Sequence, residues 1–181
     1  MAMDKEILFF DYERCFNHYV KNIDKIRQAK VNGEIILAKP ALLVSLIDAL
    51  DEDVFIHNEF FINEWLEERY KKILSQYAKN SQFATTTSID KPFWHLESDG
   101  FWNLNCPGDH AHKSYTPSKA WLKENVVFAY FDDELFILLQ NKNWRTKLRD
   151  YIIEHKLTDS SWSTKIKASG LGIFAAFLLT A

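Results

Sequence analysis

The amino-acid sequence predicts a mainly α-helical domain of the α+β class with one small β-hairpin. Three observations support this class: apolar residues recur at spacings of three and four over several long stretches, prolines stand at expected helix starts, and one aromatic segment surrounds a glycine turn. The chain has 181 residues, of which 47% are hydrophobic and 26% charged, as in ordinary folded proteins. We expect one compact domain over residues 1–158, followed by a polar linker and an apolar helix over residues 159–181.

Three helices are predicted in the first half of the chain. Apolar residues recur every three or four positions from Asp4 to about Ala29, and Asn32-Gly33 then acts as a stop signal. Lys39-Pro40 opens the nearly continuous apolar stretch ALLVSLIDAL, because proline in a first turn loses no intrahelical hydrogen bond. Residues Phe60 to Ala78 again have helical spacing, with Asn63 as a candidate N-cap. We expect the second of these helices to lie at the centre of the core.

The segment DKPFWHLESDGFWNL, residues 90–104, predicts the hairpin. Two short aromatic runs, Phe93 to Leu96 and Phe101 to Leu104, favour strands. They are separated by four residues that end in Gly100, and glycine readily takes the positive φ that a tight turn needs. Since side chains alternate between the two faces of a strand, one face should pack on the core while the other looks outward.

Three more helices are predicted after the hairpin. Thr116-Pro117 combines a capping hydroxyl with a proline at the first helical position, so a helix should start there. Residues Asp132 to Gln140 and Asn143 to His155 have the spacing of two further helices. The pattern is therefore mostly helical, with the hairpin beside the helices.

The last residues, GLGIFAAFLLTA at 170–181, form an uncharged apolar run of twelve residues. A membrane span needs about 20 residues, so a core or oligomer-contact helix is favoured over an interfacial membrane segment or a boundary artefact. The N-terminus does not resemble a secretory signal, and the two cysteines, Cys15 and Cys106, form no CxxC pair. A reducing cytoplasm fits these features.

Catalytic and cofactor motifs are absent from the sequence. It has five glycines and no P-loop, dinucleotide fingerprint, GxSxG or HExxH motif. Potential metal ligands cluster in one loop: Cys106, Asp109, His110 and His112. A structural zinc site usually takes its four ligands from two separated pairs, so a solvated loop is the better interpretation. Paired acids such as Glu67-Glu68 and Asp132-Asp133-Glu134 are interpreted as solvated faces or helix starts. No metal, cofactor or active site is expected.

A binding site remains as the candidate for function. The net charge is −3, but a phosphate responds to local charge, so a basic patch can still bind DNA. The hairpin and the predicted helix at Thr116 could form such a patch together, because free amides at a helix N-terminus favour an anion. Its members are Trp94, His95, Tyr115, Thr116, Pro117 and Ala120, with Lys113, Lys119 and Lys123 nearby. The alternative is that Trp94 packs in the core and Pro117 only starts a helix.

Four motifs in this order resemble the DNA sulfur-recognition domain of McrA-type HNH restriction endonucleases. They are Lys39-Pro40 with ALLVSLIDAL, PFWHLESDGFWNL at residues 92–104, Thr116-Pro117-Ser118, and AYFDDELFILLQNKNWRTKLRDYIIEH at residues 129–155. The resemblance implies a single compact helical domain with a winged-helix-like DNA-binding surface. It also implies binding of double-stranded DNA whose backbone carries a phosphorothioate, while in that family a separate C-terminal HNH nuclease cuts nearby.

The resemblance implies roles for the site residues. Sulfur is larger and less strongly hydrated than oxygen, so its transfer into an apolar cavity costs less. That cavity would be formed by Trp94, Thr116 or Tyr115, Pro117 and Ala120. His95 would hydrogen-bond the phosphate or a base edge. The phosphate backbone would be held by five lysines: Lys39, Lys91, Lys113, Lys119 and Lys123.

Two positions depart from the family pattern. Thr116 stands where the family has an aromatic residue before the proline, and His95 is less charged at neutral pH than the arginine of some members. Nothing after His155 resembles an HNH motif, so we expect a recognition domain of a restriction or defence system that does not cut DNA alone. A nuclease partner or homo-oligomer is left open, and membrane association is not expected. The alternative function is a helical protein-interaction or oligomerisation module that binds no nucleic acid.

Overall fold

The structure of the protein is a computed structural model that describes residues 10–78, 87–107 and 116–158. Over these residues it contains seven α-helices and two antiparallel sheets of two strands each. The fold class predicted from the sequence, mainly helical with a small β component, is confirmed. The positions of the strands differ from the prediction.

Helix α1 spans Tyr12–Asp24 and ends before the predicted Ala29. It starts at Asp11, whose Oδ1 accepts a hydrogen bond of 3.0 Å from the backbone N–H of Arg14. Its inward face buries Cys15, Tyr19 and Ile23, which are four residues apart as the sequence pattern predicts.

A β-hairpin follows α1, formed by β1, Lys30–Val31, and β2, Glu34–Ile35. The turn residues Asn32 and Gly33 both have positive φ, 52° and 86°. Two positive φ angles are typical of a type I′ hairpin turn, for which Asn-Gly is the preferred dipeptide. The prediction that this dipeptide stops the first helix is wrong, because α1 already ends at Asp24 and the dipeptide instead forms the turn of a hairpin that the prediction missed.

Helix α2 spans Ala38–Asp51 and lies at the centre of the core, as predicted. Pro40 stands in its first turn, where it removes no intrahelical hydrogen bond. Almost every side chain from Ala38 to Leu50 is buried, because the helix is surrounded by neighbours on all sides. Helix α3, Glu64–Tyr77, packs against it and begins at the predicted cap, Asn63, whose Oδ1 accepts a 2.8 Å hydrogen bond from Leu66 N–H.

The predicted hairpin at residues 90–104 is wrong. Asp90–His95 forms the short helix α4, and Leu96–Asp99 forms a 3₁₀ turn after it. Phe93 and Leu96 are three residues apart and both fully buried, so the apolar pattern here is helical and not alternating. Gly100 does take a positive φ of 83°, but it ends the 3₁₀ turn and does not connect two strands.

The strand β3, Trp102–Asn105, pairs with β4, Phe128–Phe131, in antiparallel register. The sequence analysis did not identify β4 as a strand. Phe60 extends this sheet through two hydrogen bonds of 2.7 Å with Ala129. The predicted third helix therefore starts later than Phe60, because that residue belongs to the sheet edge.

Trp102 fixes the sheet to α4. Its side chain is fully buried, and its indole Nε1 donates a 3.0 Å hydrogen bond to the carbonyl oxygen of Phe93. The rings of Phe93, Phe60 and Phe131 surround it with centroids 5.3, 5.6 and 5.1 Å away. Such aromatic packing holds the backbone of α4 in place and leaves the opposite side of that helix to face solvent.

Helix α5 spans Lys119–Asn125, and the predicted helix start at Thr116-Pro117 is wrong by two residues. Ser118 is the N-cap, since its hydroxyl accepts the backbone N–H of Trp121 at 3.2 Å. The predicted last two helices are confirmed as α6, Asp133–Gln140, and α7, Lys142–Ile152, which continues into a π-turn at Ile153–Leu157. Helices α1 and α2 both pack against α7.

Several sequence predictions fall on residues that the structure does not describe. They concern the loop residues Asp109, His110 and His112, the apolar run at 170–181, and the domain boundary after residue 158. Within the described ranges, no helix is long and apolar enough to cross a membrane. The same ranges hold no group of three or more potential metal ligands. Both cysteines, Cys15 and Cys106, are free.

Candidate functional site

Helix α4 and the segment before α5 lie side by side, which brings the predicted site residues together. The Nε2 atom of His95 lies 2.6 Å from the hydroxyl oxygen of Thr116. The rings of Trp94 and Trp121 meet edge to face, with centroids 5.9 Å apart. The two segments are therefore adjacent, as predicted, although neither has the secondary structure that was predicted for it.

The orientation of α4 decides which of its side chains are accessible. Phe93 and Leu96 point into the core, while His95 is exposed and Trp94 is half-buried. The alternative that Trp94 packs in the core is realised in part, because its ring contacts the core and one side remains accessible. Because Phe93 and Leu96 lie on the buried side of the helix, the two positions between them are turned towards the surface.

The charge of His95 depends on its surroundings. Partial burial and the positive charge of Lys39 lower the pKa of His95 below its ordinary value, so the imidazole is neutral at neutral pH. A neutral imidazole has one donor and one acceptor nitrogen, and either can bond a hydroxyl. The backbone carbonyl of His95 also accepts a 2.8 Å hydrogen bond from the Ser98 hydroxyl. The imidazole ring therefore lies at the surface as a polar group that can either donate or accept a hydrogen bond.

The apolar candidates differ in exposure. Ala120 is exposed on the first turn of α5, Thr116 is half-buried, and Pro117 is buried. Tyr115 lies outside the described residues. The methyl group of Ala120 is therefore the accessible apolar group of this segment. The helix that carries it has seven residues, so its N-terminus alone is a weak attraction for an anion.

Two of the candidate phosphate-binding lysines make ion pairs with one carboxylate. Glu67 Oε2 lies 2.7 Å from Lys119 Nζ, and Glu67 Oε1 lies 3.1 Å from Lys123 Nζ. Partial burial alone would raise the pKa of Glu67, but the hydrogen bonds and charges of the two lysines outweigh it and lower that pKa. Of the two interpretations of Glu67-Glu68, the helix start is confirmed for Glu67, which lies in the first turn of α3, and the solvated face is wrong for it, because its side chain lies against α5. The solvated face holds for Glu68, which is exposed.

The other candidate lysines have different surroundings. Lys39 Nζ lies 2.5 Å from Asp99 Oδ2, and the two side chains are only 12% and 4% exposed. Asp99 also accepts a 3.3 Å hydrogen bond from the backbone N–H of Arg27. Lys91 is exposed on α4, and Lys113 lies outside the described residues. Lys91 therefore has an accessible ammonium group, whereas Lys39 acts mainly through its field.

An open cleft of about 580 Å³ lies beside His95, between α4 and the hairpin β1–β2. Its ionisable lining residues are all basic: Arg27, Lys39, Lys91 and His95. Its apolar lining includes Val31, Ile36, Ala38 and Pro92. Because a cleft with walls of low polarity focuses the field of its charges, it should attract an anion although the whole chain is negative.

Sequence reasoning missed Arg27, Gln28 and Glu67 as parts of this surface. Arg27 and Gln28 follow α1 in an irregular segment, where nothing in the sequence spacing connects them with α4. Glu67 is separated from its lysine partners by 52 and 56 positions. The Asn-Gly turn was the one signal that could have placed a hairpin, and hence the cleft wall, next to Arg27.

Comparisons with known proteins identify the family of this chain and a solved structure of similar fold. The model of the family described as "ScoMcrA-like, DNA sulfur-binding domain" matches residues 17–172 of this chain. A solved structure described as "Sulfur binding domain of SprMcrA complexed with phosphorothioated DNA" has a similar fold, with a TM-score of 0.54 at 13% sequence identity. The superposition covers 86% of this chain and 94% of that one. A search of curated proteins finds no match. Since the family model spans most of its length, the chain belongs to the ScoMcrA-like DNA sulfur-binding domain family.

Proposed function

We propose that this domain binds double-stranded DNA with a backbone phosphorothioate at the surface formed by α4, the start of α5 and the basic cleft. One observation carries the location: the 2.6 Å contact between His95 and Thr116 joins a polar ring to the segment that leads into α5, whose first turn carries the exposed Ala120. A phosphorothioate needs both kinds of group, because its oxygen needs a hydrogen-bond donor and its sulfur favours an apolar contact.

The two parts of the surface do different work in this proposal. Ala120 and the accessible side of Trp94 contact the sulfur, and His95 hydrogen-bonds the phosphate that carries it. Lys91, Lys119, Lys123 and the cleft residue Arg27 bind neighbouring phosphates, which fixes the register of the duplex. Contacts with phosphates supply affinity for any DNA, and the contact with sulfur supplies the selection.

The role that we propose is recognition without hydrolysis, within a cytoplasmic restriction or defence system. Its support is the family itself, which is one of DNA-binding domains. Cleavage would then come from a nuclease partner or a separate nuclease domain. A duplex incubated with the protein and Mg²⁺ should stay intact, whether or not it carries the phosphorothioate.

The test compares two duplexes of one sequence, with and without a single Rp phosphorothioate. Wild-type protein should bind the modified duplex more tightly. Ala120→Glu should reduce that preference at least about tenfold, since a charged side chain replaces the apolar contact with the sulfur, while its repulsion of phosphate lowers the affinity for both duplexes. Gln140→Glu at the exposed end of α6 adds the same charge elsewhere and should leave the preference unchanged. Equal affinity of the wild type for both duplexes would contradict sulfur recognition.

A further inference from the structure

Glu67 connects α3 with the helix that carries Ala120. Its two carboxylate oxygens bind separate lysines, Lys119 at 2.7 Å and Lys123 at 3.1 Å. The lysines are four residues apart and so share one face of α5, and Ala120 lies between them in sequence. One carboxylate therefore holds the two lysines that flank Ala120 in the sequence of α5.

The side chain of Glu67 is much less exposed to solvent than those of its two lysine partners. The Glu67 side chain is 14% exposed, whereas those of Lys119 and Lys123 are 41% and 46% exposed. The carboxylate is nearly enclosed, whereas both lysine side chains are partly open to solvent. A phosphate can therefore reach the lysines more easily than it can reach Glu67.

We propose that Glu67 is an internal competitor of DNA phosphate at Lys119 and Lys123. This inference rests on the proposed function, because it concerns how tightly the same surface holds DNA. In the free protein the carboxylate neutralises half of the lysine charge and occupies donors that a phosphate needs. Binding requires the lysines to turn towards the phosphate while the nearby carboxylate repels it.

The competition acts on the part of the affinity that does not depend on sulfur. Nonspecific binding of proteins to DNA comes almost wholly from cations that meet phosphates. Glu67 weakens this contribution for any duplex and leaves the apolar contact of Ala120 untouched. The protein then depends on the sulfur contact to reach tight binding, and it is held less strongly by unmodified DNA.

The experiment measures the affinities of Glu67→Gln for the modified and unmodified duplexes. We expect both affinities to rise roughly three- to tenfold at low salt, because a nearby repulsive charge is removed. The gain should shrink as salt is added, since exposed charges are screened. The preference for the modified duplex should stay the same. An unchanged or lower affinity for both duplexes would overturn the inference.

Two controls separate competition from a general change of net charge. Glu68→Gln removes an exposed carboxylate from the same helix and should have a much smaller effect. In the background Lys119→Gln/Lys123→Gln, Glu67→Gln should change affinity by less than about twofold, because the groups it competes for are gone. A full gain in that background would show that Glu67 acts through the overall field, and would overturn the inference.

A direct readout in the wild-type chain needs no variant. The pKa of Glu67, followed by carboxyl ¹³C NMR during a pH titration, should rise when the unmodified duplex is bound, as the lysines leave the carboxylate. An unchanged pKa in the complex would overturn the inference. The proposed function fails differently, through equal affinities of the wild type for the two duplexes, and the gain of Glu67→Gln on unmodified DNA would still be measurable.

Discussion

His95 is the residue of the candidate site whose charge changes most readily near neutral pH. Burial and Lys39 lower its pKa in the free protein, so the ring starts out neutral. A phosphate next to the ring would stabilise the charged form and raise that pKa in the complex. Binding would then take up a proton, so the affinity for DNA should depend on pH.

We expect the affinity for DNA to rise as the pH falls from about 7 to about 6, because the ring can then take up a proton from solvent and a neighbouring phosphate stabilises the charged form. His95→Gln should flatten this dependence. His57→Gln, which replaces an exposed histidine outside the site, should retain it. The measurement is a series of binding titrations at fixed ionic strength. Affinity that rises with pH would show that the neutral ring is the binding form.

Trp94 shows how far one residue can be interpreted from the sequence. A tryptophan next to a histidine in an aromatic segment predicts either core packing or a binding surface. The structure gives Trp94 both environments, because its ring packs edge to face on Trp121 and stays half-exposed. The partner ring lies on α5, and no sequence spacing connects the two tryptophans.

At the scale of elements, α5 shows how a helix start was misplaced by two residues. Thr116 has the right side chain for a cap, but its hydroxyl contacts His95, and the extended residue Ser118 caps the helix. Pro117 is buried between them and does not occupy the first helical position. Tertiary contact with α4 therefore decided which hydroxyl became the cap.

The hydroxyl groups of Ser118 and Thr116 should contribute differently to the stability of the domain. Ser118→Ala should lower the free energy of unfolding by about 1 kcal/mol, because a backbone N–H of α5 loses its partner. Thr116→Val should lower it by about 0.5 kcal/mol or less, since the lost bond is to an exposed side chain. Urea unfolding of both variants and the wild type provides the comparison. The reverse order of effects would place the cap at Thr116, as the sequence alone suggested.

Helix α4 was predicted as a strand because it is short. Six residues give fewer than two helical turns, so the periods of two and 3.6 residues can hardly be distinguished. Pro92 was the clue that favours a helix, because proline fits a first helical turn and cannot donate to a strand ladder. Its neighbour Phe93 is then turned inward and His95 outward, which sets the chemistry of the surface.

At the scale of the whole molecule, Asp48 ties three helices together. This carboxylate of α2 is 5% exposed and lies 2.6 Å from Arg69 of α3 and 2.5 Å from Arg149 of α7. Asp51, at the end of α2, pairs with Arg145 at 2.6 Å but is 49% exposed. The two carboxylates share one helix and differ in exposure, so their ion pairs should differ in their importance to stability.

We expect Asp48→Ala to lower the free energy of unfolding by about 3 kcal/mol, because two partly buried guanidinium groups lose the enclosed carboxylate that they share. Asp51→Ala should lower it by less than about 1 kcal/mol, because Asp51 is half exposed and Arg145 keeps its hydrogen bond to the carbonyl oxygen of Leu139. Chemical denaturation followed by circular dichroism measures both. Equal effects would mean that solvent reaches Asp48 as freely as Asp51.

The sequence by itself determined the helical class, the central position of α2, the cap at Asn63, the last two helices and the family. These features depend on local patterns, since periodicity, proline position and capping residues act over a few neighbouring residues. The motif order along the chain was enough to identify the family, which the comparison confirms.

Only the tertiary structure decided the strand pairing and the surroundings of the charges. The strand Trp102–Asn105 pairs with Phe128–Phe131 and not with the preceding segment. This pairing packs the ring of Phe131 against the buried Trp102. Glu67 meets its lysines across 52 and 56 positions of sequence. The energies of strand pairing and of ion pairing depend on residues that are far apart in sequence, so local sequence patterns do not determine them. The segment at residues 90–104 therefore belongs to the candidate site, as the sequence predicted. Its secondary structure and its charged neighbours are determined by tertiary contacts.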